Sequence, residues 1–225
     1  MSDEPAVTLL LLLRLKAFAP SERLAALLDQ PVDQVDAELS ELAERGWVQH
    51  RSGMAAGWSL TPDGRRTGQQ LLRAEAAAAG ALAPLEDCYR QFLPLNAELL
   101  SVCTDWQTVV IDREHVPNDH ADAERDARVL ARLDALHTET LPLLASLGAV
   151  LARFASYGER LDRAHGHVRQ GRTEWIAKPT VDSYHGVWFE LHEHLLVTLD
   201  RARSSEPLPQ YAPTPHGPTP HGERR

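Results

Sequence analysis

The sequence predicts a mainly α-helical chain with one small β-hairpin near its N-terminus. Apolar residues recur at helical spacing through most of its length. Gly, Pro, Ser and Asp fall between the periodic stretches, where helices start and stop. Two short runs, Trp47–Arg51 and Gly57–Leu60, flank a small tip at Ser52–Ala56 and read as paired strands. Composition and breakers divide the 225 residues into three zones: 1–78, 79–203 and 204–225.

The elements follow in order. Val7–Leu15 (VTLLLLLRL) is apolar on every side and reads as a buried first helix. It is far shorter than the roughly 20 residues needed to span a bilayer. It also lacks a basic leader and a small-residue cleavage site. Pro20-Ser21 opens a second helix, and Asp29-Gln30-Pro31 closes it and starts a third. In the third helix Val32, Val35, Leu39 and Leu42 form one apolar stripe, and Gly46 supplies the end cap. After the hairpin, Thr61-Pro62-Asp63 reads as a cap and first turn leading through RAEAAAAG. Residues 83–107 read as helix bent or broken at Pro94, and 108–120 as loop. Asp122–His137, Leu141–Phe154, Gly158–Arg169 and Val181–Arg201 complete the helices, with a loop near 171–180. The last 22 residues carry PTPHG twice and have no periodic apolar face, so a disordered Pro-rich tail is expected.

Composition excludes several classes. Net charge is −9, so bulk electrostatics does not make this a polyanion-binding protein. Cys88 and Cys103 are too few for a disulfide framework, which favours a reduced, cytoplasmic location. No GxGxxG, Walker loop or CxxC pair occurs, no nucleophile stands beside a base in a known pattern, and neither an enzyme nor a cofactor is expected.

Helix, helix, helix, hairpin, helix over the first 78 residues is the order of a winged helix-turn-helix, with an all-helical region behind it. Residues 7–78, about a third of the chain, resemble winged-helix regulators of the MarR and PadR type. The matching segments are Val7–Leu15, LAALLDQPVDQVDAELSELAERGWV and the hairpin exit WSLTPDGRR. NDHAD (118–122) and WIAKPTVDSYHGVWFELHEHLL (175–196) are similar to segments of actinobacterial regulators that join a winged helix to a helical C-terminal domain. The resemblance implies a homodimeric transcriptional regulator that binds double-stranded, pseudo-palindromic operator DNA.

The residues qualify that expectation. Opposite the stripe centred on Val35, the third helix presents Asp33, Ala37, Ser40 and Glu44, flanked by Asp36 and Glu41. Residues 1–75 hold eight Lys/Arg against eleven Asp/Glu. DNA affinity comes largely from neutralised phosphates, so this face opposes it. Carboxylates can still accept from cytosine N4, and Gln34 can pair with adenine. The candidate DNA-binding set is therefore Asp33, Gln34 and Asp36 for bases, with Arg45, Arg51, Arg65 and Arg66 for phosphates. The alternative is a winged helix that docks a protein partner and leaves DNA alone. Dimerisation would double the arginine contacts, with Leu9–Leu15 and 81–107 as candidate seams.

In the second zone the densest chemically capable group is Trp175, Lys178, Tyr184, His185, Trp188, His192 and His194, joined by Asn118, Asp119 and His120 from their loop. An aromatic groove with imidazoles at its margin suits a small organic effector. The competing reading is core packing, the usual fate of Trp and His on a semi-apolar face. Glu190 and His194 are four apart and can share an ion, with His165 or His167 from the preceding helix, but the spacing is loose and no metal is expected.

Overall fold

The computed structural model describes residues 4–53, 56–111 and 113–205. The first part runs α1 (Glu4–Lys16), α2 (Ser21–Leu28), α3 (Val32–Glu44), β1 (Val48–Arg51), β2 (Gly57–Leu60) and α4 (Pro62–Ala78). The second runs α5 (Leu82–Gln107), β3 (Thr108–Ile111), β4 (Glu114–Pro117), α6 (Ala123–Val150), α7 (Ser156–Arg169) and α8 (Tyr184–Leu199). Short 3-10 turns lie at Ala152–Phe154, Thr173–Trp175 and Arg203–Ser205. The chain is thus mainly helical with two small antiparallel hairpins. No helix among the described residues is long and apolar enough to cross a membrane. Of the Pro-rich tail, residues 206–225 lie outside the described residues.

Local chemistry sets the boundaries. Asp29 leaves α2 in the left-handed conformation, and Gly46 (φ 72°) follows the end of α3. Thr61 caps α4 by accepting from Gly64 N at 3.0 Å, and its own hydroxyl donates to Gly46 O at 2.7 Å. One side chain thereby joins the end of α3 to the start of α4, which is why the chain can turn so tightly there. Asp122 caps α6 by accepting from Arg125 N at 2.9 Å. The first hairpin pairs Val48 with Leu60 and Arg51 with Gly57. Ala19 extends it by one bridge, exchanging backbone hydrogen bonds with Trp58 at 2.8 and 3.1 Å. A side chain at Gly57 would strike Phe18 and the Ala19 backbone, so this strand needs a glycine.

Three buried clusters form, and α1 contributes to two of them. Leu9, Leu10 and Leu13 pack with Leu24, Val35, Leu39, Leu42, Val48 and Leu60. Val7 and Leu11, on another side of α1, meet Leu72 of α4 and Val197 of α8. The large core of the second part is built by α5, α6, α7 and α8 around Phe92, Leu133, Leu147, Phe154, Leu161 and Trp188. Polar ties follow the same seam. Arg14 bonds Glu193 at 2.8 Å, Lys16 pairs with Glu190, and Arg73 donates to Leu199 O at 3.0 Å. Arg153 holds Glu75 at 3.0 Å and Thr8 at 2.8 Å.

Several expectations need correction. Residues 108–117 are a hairpin, not a loop, with Arg113 (φ 69°) in its turn. The helix from 83 runs unbroken through Pro94, and 122–137 and most of 141–154 merge through Pro142 into one 28-residue α6, which ends at Val150 before the 3-10 turn Ala152–Phe154. Proline removes a hydrogen bond from a helix interior, but both are bracketed by buried apolar residues: Phe92 and Leu99 around Pro94, and Leu136 and Leu143 around Pro142. Burial on both sides outweighs the local preference to break. Val32 stands 38% exposed at the start of α3 and lies outside the buried stripe. Leu9 to Leu13 are used in the chain's own cores, so α1 does not offer the dimer seam its sequence suggested.

Candidate functional site

On α3 the apolar stripe Val35, Leu39 and Leu42 faces inward. Asp33, Gln34, Asp36, Ala37, Ser40, Glu41 and Glu44 are exposed. Some of these groups are already engaged. Asp36 accepts from the Ser21 hydroxyl, which in turn accepts from Trp58 Nε1 at 3.0 Å. Gln34 donates to Glu38 at 3.2 Å. The four arginines are all exposed and differ in tether. Arg51 lies over the Phe18 ring at 4.5 Å and Arg45 over Trp47 at 5.2 Å. Arg66 pairs with Asp63 at 2.7 Å, both side chains being about two-thirds exposed. Cation–π and exposed ion-pair tethers of this kind are weak, so the guanidiniums remain available to an anion.

The C-terminal candidates divide between separate environments. Tyr184, Trp188 and His192 come together in one aromatic stack. Trp188 is stacked on Phe92 (centroids 4.9 Å apart) and donates from Nε1 to Asn96 at 3.0 Å. His192 tilts against the same Phe92 ring and faces Arg203 at 2.9 Å. All three are buried, with Tyr184 0% and Trp188 2% exposed, and the stack is part of the large core. Trp175 lies apart, against the His167 ring at 3.9 Å. Lys178 is exposed, and His185 is half-buried at the start of α8, where burial lowers its pKa. Asn118, Asp119 and His120 build the turn into α6. Asn118 donates to Trp106 O at 3.0 Å and Asp126 at 3.1 Å, His120 contacts Asp126 at 2.9 Å, and Asp119 accepts from Ala121 N at 3.1 Å. These contacts are those of packing and capping.

Glu190 and His194 also have other partners. Glu190 is held by Lys16 and by Arg160 at 2.8 Å, and Arg160 reaches Asp182 at 2.6 Å. Burial opposes the charge on Asp182, but the Arg160 hydrogen bond and charge outweigh it and hold the carboxyl below its usual range. His194 is fully buried, stacked on Phe154 at 4.0 Å, with Nδ1 at 3.2 Å from the Tyr157 hydroxyl. Its Nε2 has no hydrogen-bond partner. Burial, reinforced by the Arg153 charge, pushes the imidazole down to about 3. Cys103 is buried too, and burial pushes its thiol up to about 12. Among the described residues no group of three or more His, Cys, Asp or Glu is arranged to hold a metal ion.

Two groupings escaped the sequence reading. His137 and His165 stack at 4.0 Å between α6 and α7, each against a carboxylate: Asp162 at 3.1 Å and Asp134 at 2.6 Å. Burial, then the neighbouring imidazole, lowers the His137 pKa despite Asp162. The second is a cleft of about 350 Å³ lined by Asp105, Arg125, Arg128, Val129 and Arg132. Its signal was in the sequence: arginines at i, i+3 and i+7 of one helix share a face. No family model, curated protein or solved structure matches the chain.

Proposed function

We propose that the chain is a cytoplasmic, homodimeric transcriptional regulator whose N-terminal part is a winged helix bound to operator DNA. The C-terminal helical region supports the dimer and senses a small molecule. The stance of α3 is the main support: its outward face is wholly exposed while its apolar stripe is locked into the core. Beside it a short hairpin ends β1 in Arg51, and α4 opens with Arg65 and Arg66. A helix free to enter a groove, next to a hairpin carrying guanidiniums, is the arrangement this docking mode requires. Phosphate contacts would hold the module, while Asp33, Gln34 and Asp36 meet base edges.

The test is an anisotropy titration of the full chain against DNA from upstream of its own gene, across a salt series. Four arginines from each of two protomers would neutralise eight phosphates at most, a log–log slope of about −7. Saturable binding with a steep negative slope supports the reading. Absence of binding at about 50 mM salt refutes it. A second reading then takes over, because the exposed face of α3 is acidic and Leu27 and Val32 stand 47% and 38% exposed where α2 turns into α3. Apolar residues beside carboxylates there favour a basic protein partner.

A further inference from the structure

We propose that the cleft between the C-terminal end of α5 and the first half of α6 is a binding site for a small oxyanion, a carboxylate or phosphate on a compact molecule. Arg125, Arg128 and Arg132 line it from one face of α6, with Asp105 opposite and Val129 as an apolar wall. Its volume of about 350 Å³ falls within the small-molecule range.

The three guanidiniums differ in how fully they are used. Arg132 is saturated: Nε bonds Glu98 at 2.9 Å, Nη1 bonds Asp105 at 2.5 Å and Nη2 bonds Ser101 at 2.8 Å. It fixes α5 to α6 and neutralises the acids on that side. Arg125 is half-used. Its Nη2 donates to Asp105 O at 2.5 Å and Thr108 O at 2.6 Å, closing the end of α5, while Nη1 is buried with no hydrogen-bond partner. Arg128 is exposed and its side chain makes no hydrogen bond or ion pair among the described residues. Two further acids lie close in sequence: Asp126 is occupied by His120 and Asn118, and Glu124, exposed four residues before Arg128, makes no ion pair with it among the described residues.

Three guanidiniums against Asp105 and Glu98 leave one net positive charge, on a chain whose total is −9. An unpaired buried N–H on a charged group is a costly thing for a fold to keep. An oxyanion seated in the cleft would meet the open guanidinium of Arg128 in its planar donor geometry, and a small turn of the Arg125 side chain would bring the covered Nη1 to it as a second donor. The site does not depend on whether α3 meets DNA, and its test involves none.

The full-length protein is titrated calorimetrically with inorganic phosphate and, separately, with benzoate, at constant ionic strength set by chloride. Saturable binding of either anion is expected, and which of them binds more tightly identifies the preferred oxyanion. Arg128→Ala should weaken that binding about tenfold with an unchanged melting temperature, since Arg128 holds nothing else. Arg128→Glu should abolish it. No saturable binding of either anion up to about 10 mM, or equal affinity in wild type and Arg128→Ala, overturns the proposal.

Discussion

Lowering the pH should unload a defined amount of stability through His194. This imidazole is fully buried on Phe154, and Tyr157, whose hydroxyl is 3.4 Å from Glu190 O, is its polar neighbour. If that hydroxyl donates to Glu190, His194 Nδ1–H donates to the Tyr157 oxygen and Nε2 is left as a buried acceptor. A proton added to Nε2 would have no partner and would sit near Arg153. The folded state therefore keeps the ring neutral down to about 3, whereas in the unfolded chain it titrates at about 6.5. The contribution is complete above the unfolded value and is lost progressively as the pH falls toward the folded one. Between about pH 7.5 and pH 5 the unfolded chain takes up nearly one proton here and the folded chain almost none, a factor of about thirty, or about 2 kcal/mol. His137 and His185 are also lowered by burial and add loss of the same sign. The comparison is therefore between wild type and His194→Leu, each unfolded in urea at both pH values. The wild type should lose about 2 kcal/mol more than the variant over this interval, with m unchanged. Equal losses in the two proteins would refute a buried neutral His194.

A Cβ at Gly64 would lie 1.8 Å from Trp47 O, so Gly64→Ala should cost about 3 kcal/mol and lower the melting temperature by several degrees. Arg160→Ala leaves Asp182 without its guanidinium and removes one partner from Glu190, and should destabilise by about 2 kcal/mol; Arg160→Met, which leaves the same acids unpaired but keeps a packed stem, should recover only part of that in paired denaturation curves. Arg51→Ala and Arg65→Ala should each weaken DNA binding on any sequence and reduce the salt slope by about one. Cys88 and Cys103 are buried with raised pKa values, so an aromatic disulfide reagent should label them only as the protein unfolds.

The first 78 residues were legible because each boundary has its own chemical mark: the caps at Thr61 and Gly46, the prolines at 20 and 31, and the stripe of α3. The second hairpin was not. The sequence between its strands has no Asn-Gly or Gly signal of a tight hairpin, and Val110 and Ile111 remain 63% and 56% exposed on it. Pro94 and Pro142 misled in the opposite direction, because a local rule about helix breaking knows nothing of the neighbours that keep α5 and α6 continuous. At the candidate ligand residues, residue type alone does not separate a binding groove from a packed core. Whether a ring lines a groove or fills a core depends on what lies across from it. Phe92 and Asn96, which cover and bond Trp188, come from an element about ninety positions away.

The seam along α1 has a practical consequence. A fragment cut after Ala78 would lose Val197, which covers Val7, Leu11 and Leu72. It would also leave Arg14 and Lys16 without Glu193 and Glu190. Such a fragment carries a sticky apolar strip and two stranded cations, and should aggregate or bind polyanions for reasons unrelated to the parent protein. The N-terminal part is therefore not a cassette. A chimera that transplants it onto another C-terminal part must bring α8, or an α8 surrogate with both glutamates, along with it.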